Sequence, residues 1–492
     1  MKLQSSIPPT TLAFLLTTLF FSHTLVLTAQ TIVTPEEHPD LKSTFWGLCI
    51  QDAETGESLV DVRSHHLFTP ASTLKLFSTG TIYALSQPQD RIPTYICTDG
   101  SVNDGVLNSD IYIIGHGDPS IGSRFLYGHD KLAFFKEVLQ SLRTRGIRRI
   151  EGSVIAYSPT SDLQGQNPRW LFYDMGNYFG AGAYDLNVFD NSFELKFTRS
   201  GASYTVHPEM PDVEILNYYE RSKRKYGDSL YLSPGIPLQE KTTMLLTGLY
   251  PFTRKNLTIR GAIPNPPLTI ANYLRNYLRD NGISVSGKAT FSHRIPATVS
   301  RDTLHTYLSP SLSELIKVTN TYSHNLFAES MLRLVGRDRT PITGHNALQT
   351  SFMEAREYWE GRGLDLKEEE FVDGCGLSPE NKVTPAFMCS MLGKLYRDPR
   401  TRDFTGLLPL AGREGTLVYF LKDTPLEAKA RLKSGSIINV IGYAGYVMVG
   451  GRTYIMAMYV NNYYGSGSKI RRAMEAMLVE AFSEALSLKE AA

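Results

Sequence analysis

At 492 residues, with 42% hydrophobic and 20% charged side chains, the chain has the composition of a soluble globular protein too long for one core, and roughly two or three domains are expected. Its 50 basic and 49 acidic residues give a formal net charge of +1, with no long run of one sign. That balance excludes the concentrated Lys/Arg footprint of a nucleic-acid binder and the polybasic patch of a membrane-surface anchor.

Lys2 precedes a stretch from Leu12 to Ala29 that is rich in Leu, Phe and Val and free of Asp, Glu, Lys and Arg. Thr28 and Ala29 offer small residues for cleavage, and Thr17, Thr18, Ser22, His23 and Thr24 interrupt the run. Residues 1–29 therefore read as a cleaved signal peptide in preference to an uncleaved anchor. No later stretch could span a bilayer, so no stable membrane span is expected after cleavage, and the chain should be exported to the periplasm or cell envelope. Cys49, Cys97, Cys375 and Cys389 lie far apart with no C-x-x-C pair, which argues against a metal cluster. One disulfide is open to an exported protein, though the sequence does not choose a pairing; buried thiols are the equal alternative.

Phe45 to Asp52 reads as a strand, Glu54-Thr55-Gly56 as a turn and Ser58 to Val62 as the returning strand. Pro70-Ala71-Ser72 looks like a helix entry. From about Cys97 to Ser300 the chain is rich in Gly, Pro, Asn and Tyr, with short apolar stretches such as Ile111 to Ile114 and Gly152 to Tyr157; this predicts a mostly β insertion. A helical pattern returns between about Leu312 and Gly336, with Leu315, Val318, Leu326, Met331 and Leu332 as core contacts. Ala430 to Ser434, Val440 to Val449 and Thr453 to Val460 read as strands, the last two joined by a tight turn at Gly450-Gly451. An amphipathic helix follows, marked by Ile470, Met474, Met477, Leu478, Ala481 and Phe482. The two ends can share one antiparallel sheet with packed helices, an α+β fold.

Three short motifs occur in order. In Ser72-Thr73-Leu74-Lys75, residues three apart share a helix face, so the amine can reach the hydroxyl. Serine needs a base to become a nucleophile, and a Lys can serve if burial or a second cation keeps it neutral. In Ser323-His324-Asn325, the outer two can point into one cleft to relay a proton and hold a substrate amide. In Lys433-Ser434-Gly435-Ser436, on a predicted strand, Lys433 supplies charge and Ser434 a hydroxyl for a carboxylate, while Gly435 lets a ligand approach the backbone. Each motif alone is weak: S-x-x-K recurs at Ser222 and Ser466, and S-x-N at Ser101. Bland readings exist for all three, namely a helix start with a solvated lysine, a polar turn and an exposed strand end. Their order and context carry the weight, because together they form the signature of penicillin-binding proteins and class A β-lactamases.

The chain resembles the serine D-alanyl-D-alanine carboxypeptidase/endopeptidases, the low-molecular-mass class C penicillin-binding proteins, from about residue 40 to about 465. Beyond the motifs, the resemblance rests on the wide gap between Ser72 and Ser323 and on six blocks in the expected order: Gly115-His116-Gly117-Asp118-Pro119, Asn177-Tyr178-Phe179-Gly180-Ala181, Gly261-Ala262-Ile263-Pro264, Asn325-Leu326-Phe327-Ala328-Glu329, Asp373-Gly374-Cys375-Gly376-Leu377-Ser378 and Gly415-Thr416-Leu417. It implies a penicillin-binding/β-lactamase-like transpeptidase domain made of 30–95 and 300–492, with 96–299 inserted. It implies Ser72 as nucleophile, Lys75 as general base, and Ser323 and Asn325 as relay and positioning groups. Lys433 would polarise the Ser323 region, Ser434 and Ser436 would hold the terminal carboxylate, and the N–H groups of Ser72 and Ser436 would form the oxyanion hole. Peptidoglycan peptides are the implied substrate and β-lactams the implied covalent inhibitors.

Three positions depart from the family pattern. Ser434 stands for the commoner Thr and keeps the hydroxyl. His324 stands for the commoner Asp; it could place a titrating group near the cleft, but is expected to face solvent. Cys375 stands for the usual Ser and is expected to be a packed small residue, since no motif supplies a base for a thiolate. The rival functions are a β-lactamase, whose compact class A spacing this chain exceeds, and a penicillin-recognising sensor that acylates without turnover. The histidines, including His65-His66 and His116, show no H-E-x-x-H spacing, so neither a metal nor another cofactor is expected.

Overall fold

The computed structural model describes residues 40–158, 165–198, 201–222, 230–238, 241–251, 256–294, 302–337 and 346–487. The segment read as a signal peptide lies outside them. Among the described residues, no helix is long and apolar enough to cross a membrane.

Both ends of the chain build one five-stranded antiparallel sheet. β1 (Phe45–Asp52) and β2 (Ser58–Val62) come from the N-terminal side. β3 (Ala430–Ile437), β4 (Val440–Val449) and β5 (Arg452–Asn461) come from the C-terminal side, and the order is β3-β4-β5-β1-β2. Residues of alternate parity go to opposite faces, as a pleated strand requires. Trp46, Leu48, Ile50, Met456 and Met458 pack on the face covered by the helix Gly467–Ala481, through Ile470, Met474, Met477 and Leu478. Cys49, Ile455, Ala457 and Tyr459 pack on the other face, with Phe77, Leu315, Phe327 and Met388. Gly450 and Gly451 take φ of +57° and +74°, the left-handed pair that a two-residue hairpin turn needs.

Three helices on that second face carry or flank residues of the first two motifs. A short 3-10 turn, Ala71–Leu74, leads into α1 (Lys75–Leu85). α2 (Leu312–Tyr322) starts with a capping box, in which Ser311 and Glu314 satisfy each other's backbone N–H. It stops at Ser323, whose φ of +58° and ψ of +42° end the helix in a left-handed residue. α3 (Asn325–Val335) then starts at once, so Ser323-His324-Asn325 is the break between two helices.

The region between α1 and α2 contains a mixed five-stranded sheet, ordered Ala289–Ser292, Val154–Tyr157, Ile111–Ile114, Pro93–Thr98, Asp302–Leu308. Two helices that the mostly β expectation did not single out, Ala133–Thr144 and Pro266–Asp280, cover it with Phe134, Val138, Leu142, Ile270 and Leu274. Phe134, Val138 and Leu142 do recur at helical spacing; the Gly- and Pro-rich character of the whole region hid that local signal. A second, all-β unit closes around Phe193, Leu195, Phe197, Met244, Leu246 and Tyr250. The first and last strands pair with each other, Thr98 opposite Asp302, so the chain leaves and re-enters this region side by side.

Candidate active site

The 3-10 turn before α1 places Ser72 over the first residue of the helix. Lys75 is fully buried, and its Nζ has three neighbours: Ser72 Oγ at 2.9 Å, Asn325 Oδ1 at 2.6 Å and the Cys375 carbonyl at 2.6 Å. Burial lowers the affinity of this amine for a proton, while Cys375, Asp373 and Glu329 pull it partly back. Lys433 is also fully buried, and its Nζ donates to Ser323 Oγ at 2.8 Å and to the Ser434 carbonyl at 2.6 Å. Its pKa lies well below the ordinary amine value, first through burial and then through the charge of Lys75.

Asn325 bridges two parts of the chain, because its Nδ2 donates to the Phe179 carbonyl at 2.7 Å. The inserted region thus meets Asn325 through a backbone carbonyl. Ser434 Oγ donates to Thr416 Oγ1 at 2.7 Å. Ser436 is exposed and lines, with Ser72, Ser323 and Asn325, a cleft of about 690 Å³. The inserted region walls one side with Phe125, Leu171, Asp174, Tyr178 and Phe179. Ser72, Ser323, Asn325 and Ser436 thus line one cleft, and the buried Lys75 and Lys433 reach it through Ser72 Oγ and Ser323 Oγ.

One expectation changes, and one open alternative closes. Gly435 is also a point of close approach within the chain: a Cβ there would lie 2.7 Å from the Pro70 carbonyl oxygen and 2.8 Å from Thr73 N. His324 does not face solvent. Its side chain is only 9% exposed, and its Nε2 lies 3.3 Å from Asp190 Oδ1 of the inserted region. The reason is three-dimensional, since Asp190 is far away in sequence. No disulfide joins the cysteines, and all four are buried. Cys375 packs with Trp170, Ala328 and Leu377, as a small core residue should.

Beneath Lys75, Glu329, Asp373 and Cys375 bring ligand-type atoms within 4.8 Å of one another, which makes them the set nearest to a metal site among the described residues. The Asp373 oxygens are already engaged by Trp170 Nε1, Gly376 N, Ser378 N and Asn381 Nδ2 at 2.6–3.0 Å. This cluster supports the loop whose carbonyl holds Lys75. Its roles, like those of Thr416 and the Phe179 carbonyl, could not be read from the motifs. Most of these residues do sit in the extra blocks that carried the resemblance; Asp190 had no such signal.

The sheet, the helix-borne Ser-Lys pair and the facing Lys strand define a penicillin-binding/β-lactamase-like transpeptidase fold. The sequence profile of the D-Ala-D-Ala carboxypeptidase 3 (S13) family matches residues 29–481, and the chain belongs to that family. It is accordingly an enzyme of the serine D-alanyl-D-alanine carboxypeptidase class. A D-alanyl-D-alanine carboxypeptidase of Actinomadura sp. (strain R39) is 23% identical over 424 residues, 84% of this chain and 76% of that one. The D-alanyl-D-alanine carboxypeptidase DacB of Haemophilus influenzae is 21% identical over 441 residues, 88% of each chain. The crystal structure of penicillin binding protein 4 (dacB) from Haemophilus influenzae superposes with a TM-score of 0.76 at 20% identity, over 90% of this chain and 97% of that one.

Proposed function

We propose that this enzyme cleaves D-Ala-D-Ala-type peptidoglycan peptides, as carboxypeptidase and endopeptidase, through an acyl-enzyme at Ser72. One observation carries the reading. A neutral amine has two N–H groups and one lone pair, and Lys75 Nζ has two carbonyl-type acceptors, Asn325 Oδ1 and Cys375 O, and one hydroxyl, Ser72 Oγ. With the two acceptors taking its hydrogens, the lone pair is left for the Ser72 proton.

Lys75 then removes the Ser72 proton as Oγ attacks the scissile carbonyl. The N–H groups of Ser72 and Ser436 receive the oxyanion, for which such donors are each worth about 3–4 kcal/mol in other acyl-transfer enzymes. Ser323, held by Lys433, gives its hydroxyl proton to the departing D-Ala amine and is reprotonated with the proton Lys75 took from Ser72, so both groups return to their starting states, and Asn325 positions the peptide amide. Ser434 and Ser436 hold the terminal carboxylate. Water releases the acyl group, whereas a β-lactam leaves an adduct that resists it. Export by residues 1–29 to the cell envelope belongs to the same proposal. So does the division into a discontinuous catalytic domain, 30–95 with 300–492, and an inserted 96–299.

Fluorescent penicillin, followed by peptide mapping, should place the adduct on the peptide containing Pro70 to Lys75, and a D-Ala-D-Ala peptide should release D-Ala. Full labelling of a folded Ser72→Ala variant would overturn the assignment.

A further inference from the structure

Phe189, Asp190 and Asn191 hold φ of +53°, +59° and +46°, three successive left-handed residues without a glycine. L-residues adopt such a run only when their surroundings impose it. Here Val188 N donates to Asn191 Oδ1 at 3.0 Å, and Asn191 Nδ2 donates to the Gly182 carbonyl at 2.8 Å and to Asn187 Oδ1 at 2.7 Å. The outcome is a buried Asp190 carboxylate presented to His324 Nε2 at 3.3 Å. On the far side of that contact stands a second left-handed residue, Ser323 at φ +58°. Two strained turns, one from the inserted region and one from the catalytic motif, therefore meet through one pair of side chains.

The surroundings of the pair are specific. Asp190 Oδ1 accepts from Ser123 Oγ at 2.5 Å, Oδ2 accepts from Arg124 N at 3.2 Å, and the Arg124 guanidinium stands 3.7 Å from Oδ2. The Phe125 ring meets the imidazole edge-on at 4.7 Å, and the Phe327 ring lies 4.5 Å away. His324 Nδ1 is buried with no hydrogen-bond partner among the described residues. Nε2, at 3.3 Å from Asp190 Oδ1, is the ring nitrogen placed to donate to the carboxylate. Burial pushes the Asp190 carboxyl up, but His324, Arg124 and Ser123 together hold it below the ordinary carboxylate value.

We propose that Asp190 and His324 form a positioning pair for acyl transfer, through which the inserted region sets the backbone that carries Ser323 and Asn325. His324 is the residue between those two, so rotation of its backbone would move both from their places beside Lys433 and Lys75. The inserted region grips the same turn a second time through the Phe179 carbonyl on Asn325. An Asp at position 324 would meet Asp190 with like charge, so the pairing suits the His found in this chain. The inference rests on the acyl-enzyme reading.

The test is the second-order rate of acylation by fluorescent penicillin in the full chain, with the melting temperature measured alongside. His324→Gln keeps an N–H donor near the Nε2 position, His324→Leu fills similar space without one, and Asp190→Gly removes the carboxylate while tolerating the left-handed backbone. Since misplacement by about 1 Å costs up to ~100-fold, His324→Leu and Asp190→Gly should each slow acylation by about tenfold or more, His324→Gln should stay within about threefold of wild type, and the double variant Asp190→Gly/His324→Leu should be no slower than its slower parent. Melting temperatures should not follow that order. Wild-type rates in Asp190→Gly, or equal rates in the Gln and Leu variants, would overturn the pair's role, as would losses that multiply in the double variant. If His324→Leu does not fold, Asp190→Gly against His324→Gln decides. Wild type that takes no label, with Ser72→Ala as blank, would instead overturn the acyl-enzyme reading beneath it.

Discussion

Gly435 passes so close to Ser72 that a Cβ added to it would lie 3.0 Å from Ser72 N. The Pro70 carbonyl oxygen at 2.7 Å and Thr73 N at 2.8 Å leave that Cβ no flexible neighbour to displace, since all three are backbone atoms. The separation between the Lys433 strand and the nucleophile's turn is thus set by the absence of one methyl group. Gly435→Ala should therefore separate the two elements, cost about 1–3 kcal/mol of stability as overpacking does, and slow acylation by up to about 100-fold through displaced N–H groups. Denaturant unfolding and penicillin acylation rates measure both. A variant with wild-type acylation would show that the strand's approach does not set the geometry of Ser72.

The two buried lysines should fail differently. Lys75→Ala removes the group beside Ser72 Oγ, and a folded variant should lose about 100- to 10,000-fold in acylation rate, the range of general-base catalysis. Lys433→Ala leaves Ser72 with its base but removes the partner of Ser323 Oγ. That variant should acylate slowly and lose selectivity for ligands with a free carboxylate. The ratio of rates for benzylpenicillin and its methyl ester reports this. A Lys75→Ala protein that acylates like wild type would contradict the general-base role, and an unchanged ratio in Lys433→Ala would remove Lys433 from carboxylate recognition.

Much of the catalytic half was legible because its signals are local. The short apolar runs of β1 and β5, the paired glycines at Gly450-Gly451 and the helical spacing of Ile470, Met474 and Met477 are each local signals. Ser72 and Lys75 are neighbours on one turn, so their contact was also readable. The meeting of Lys75 with Asn325, 250 residues later, came only from the order of motifs, since no spacing rule spans that distance. His324 was misread for the same reason: a histidine between two helices looks exposed until the fold brings Asp190 to it. A glycine at position 435 signals close approach to the backbone, yet sequence does not say whether the chain, a ligand or both make that approach.

Glu329 makes the site's pH dependence testable. Burial, followed by the like charge of Asp373, raises its carboxyl to about 7 from an ordinary 4.5. A raised carboxyl favours the folded state fully below its unfolded value, and that contribution is lost as pH rises from about 4.5 through about 7. Glu329→Gln keeps the shape and the acceptor for Gly374 N, but carries no buried charge at alkaline pH. Its stability relative to wild type should therefore improve between pH 5 and pH 8, by at most about 3 kcal/mol. The same change removes a negative charge that raises the Lys75 pKa, so Lys75 should become neutral at lower pH. Acylation, which requires neutral Lys75, should begin its rise with pH earlier in the variant. Thermal melts and acylation rates across pH 5–9 test both limbs, and a profile shifted to higher pH would contradict the electrostatic link.

Cys375 supplies the last prediction. Its carbonyl holds Lys75, whereas its thiol is fully buried and points to a different task. Burial, with Asp373 and Glu329 adding negative charge nearby, raises the thiol pKa well above the ordinary value, so a thiolate is disfavoured where a nucleophile would need one. The thiol sulfur lies within 4.8 Å of a Glu329 carboxylate oxygen. Serine occupies nearly the same volume, offers a hydroxyl donor toward that carboxylate and leaves the backbone carbonyl in place. Cys375→Ser should therefore acylate within about threefold of wild type, since no base, nucleophile or oxyanion donor is lost. Iodoacetamide should leave Cys375 unmodified in native protein and alkylate it after denaturation. Loss of penicillin labelling in a folded Cys375→Ser protein, or rapid native alkylation that abolishes activity, would give the thiol a direct part in the chemistry and displace the packing role assigned to it.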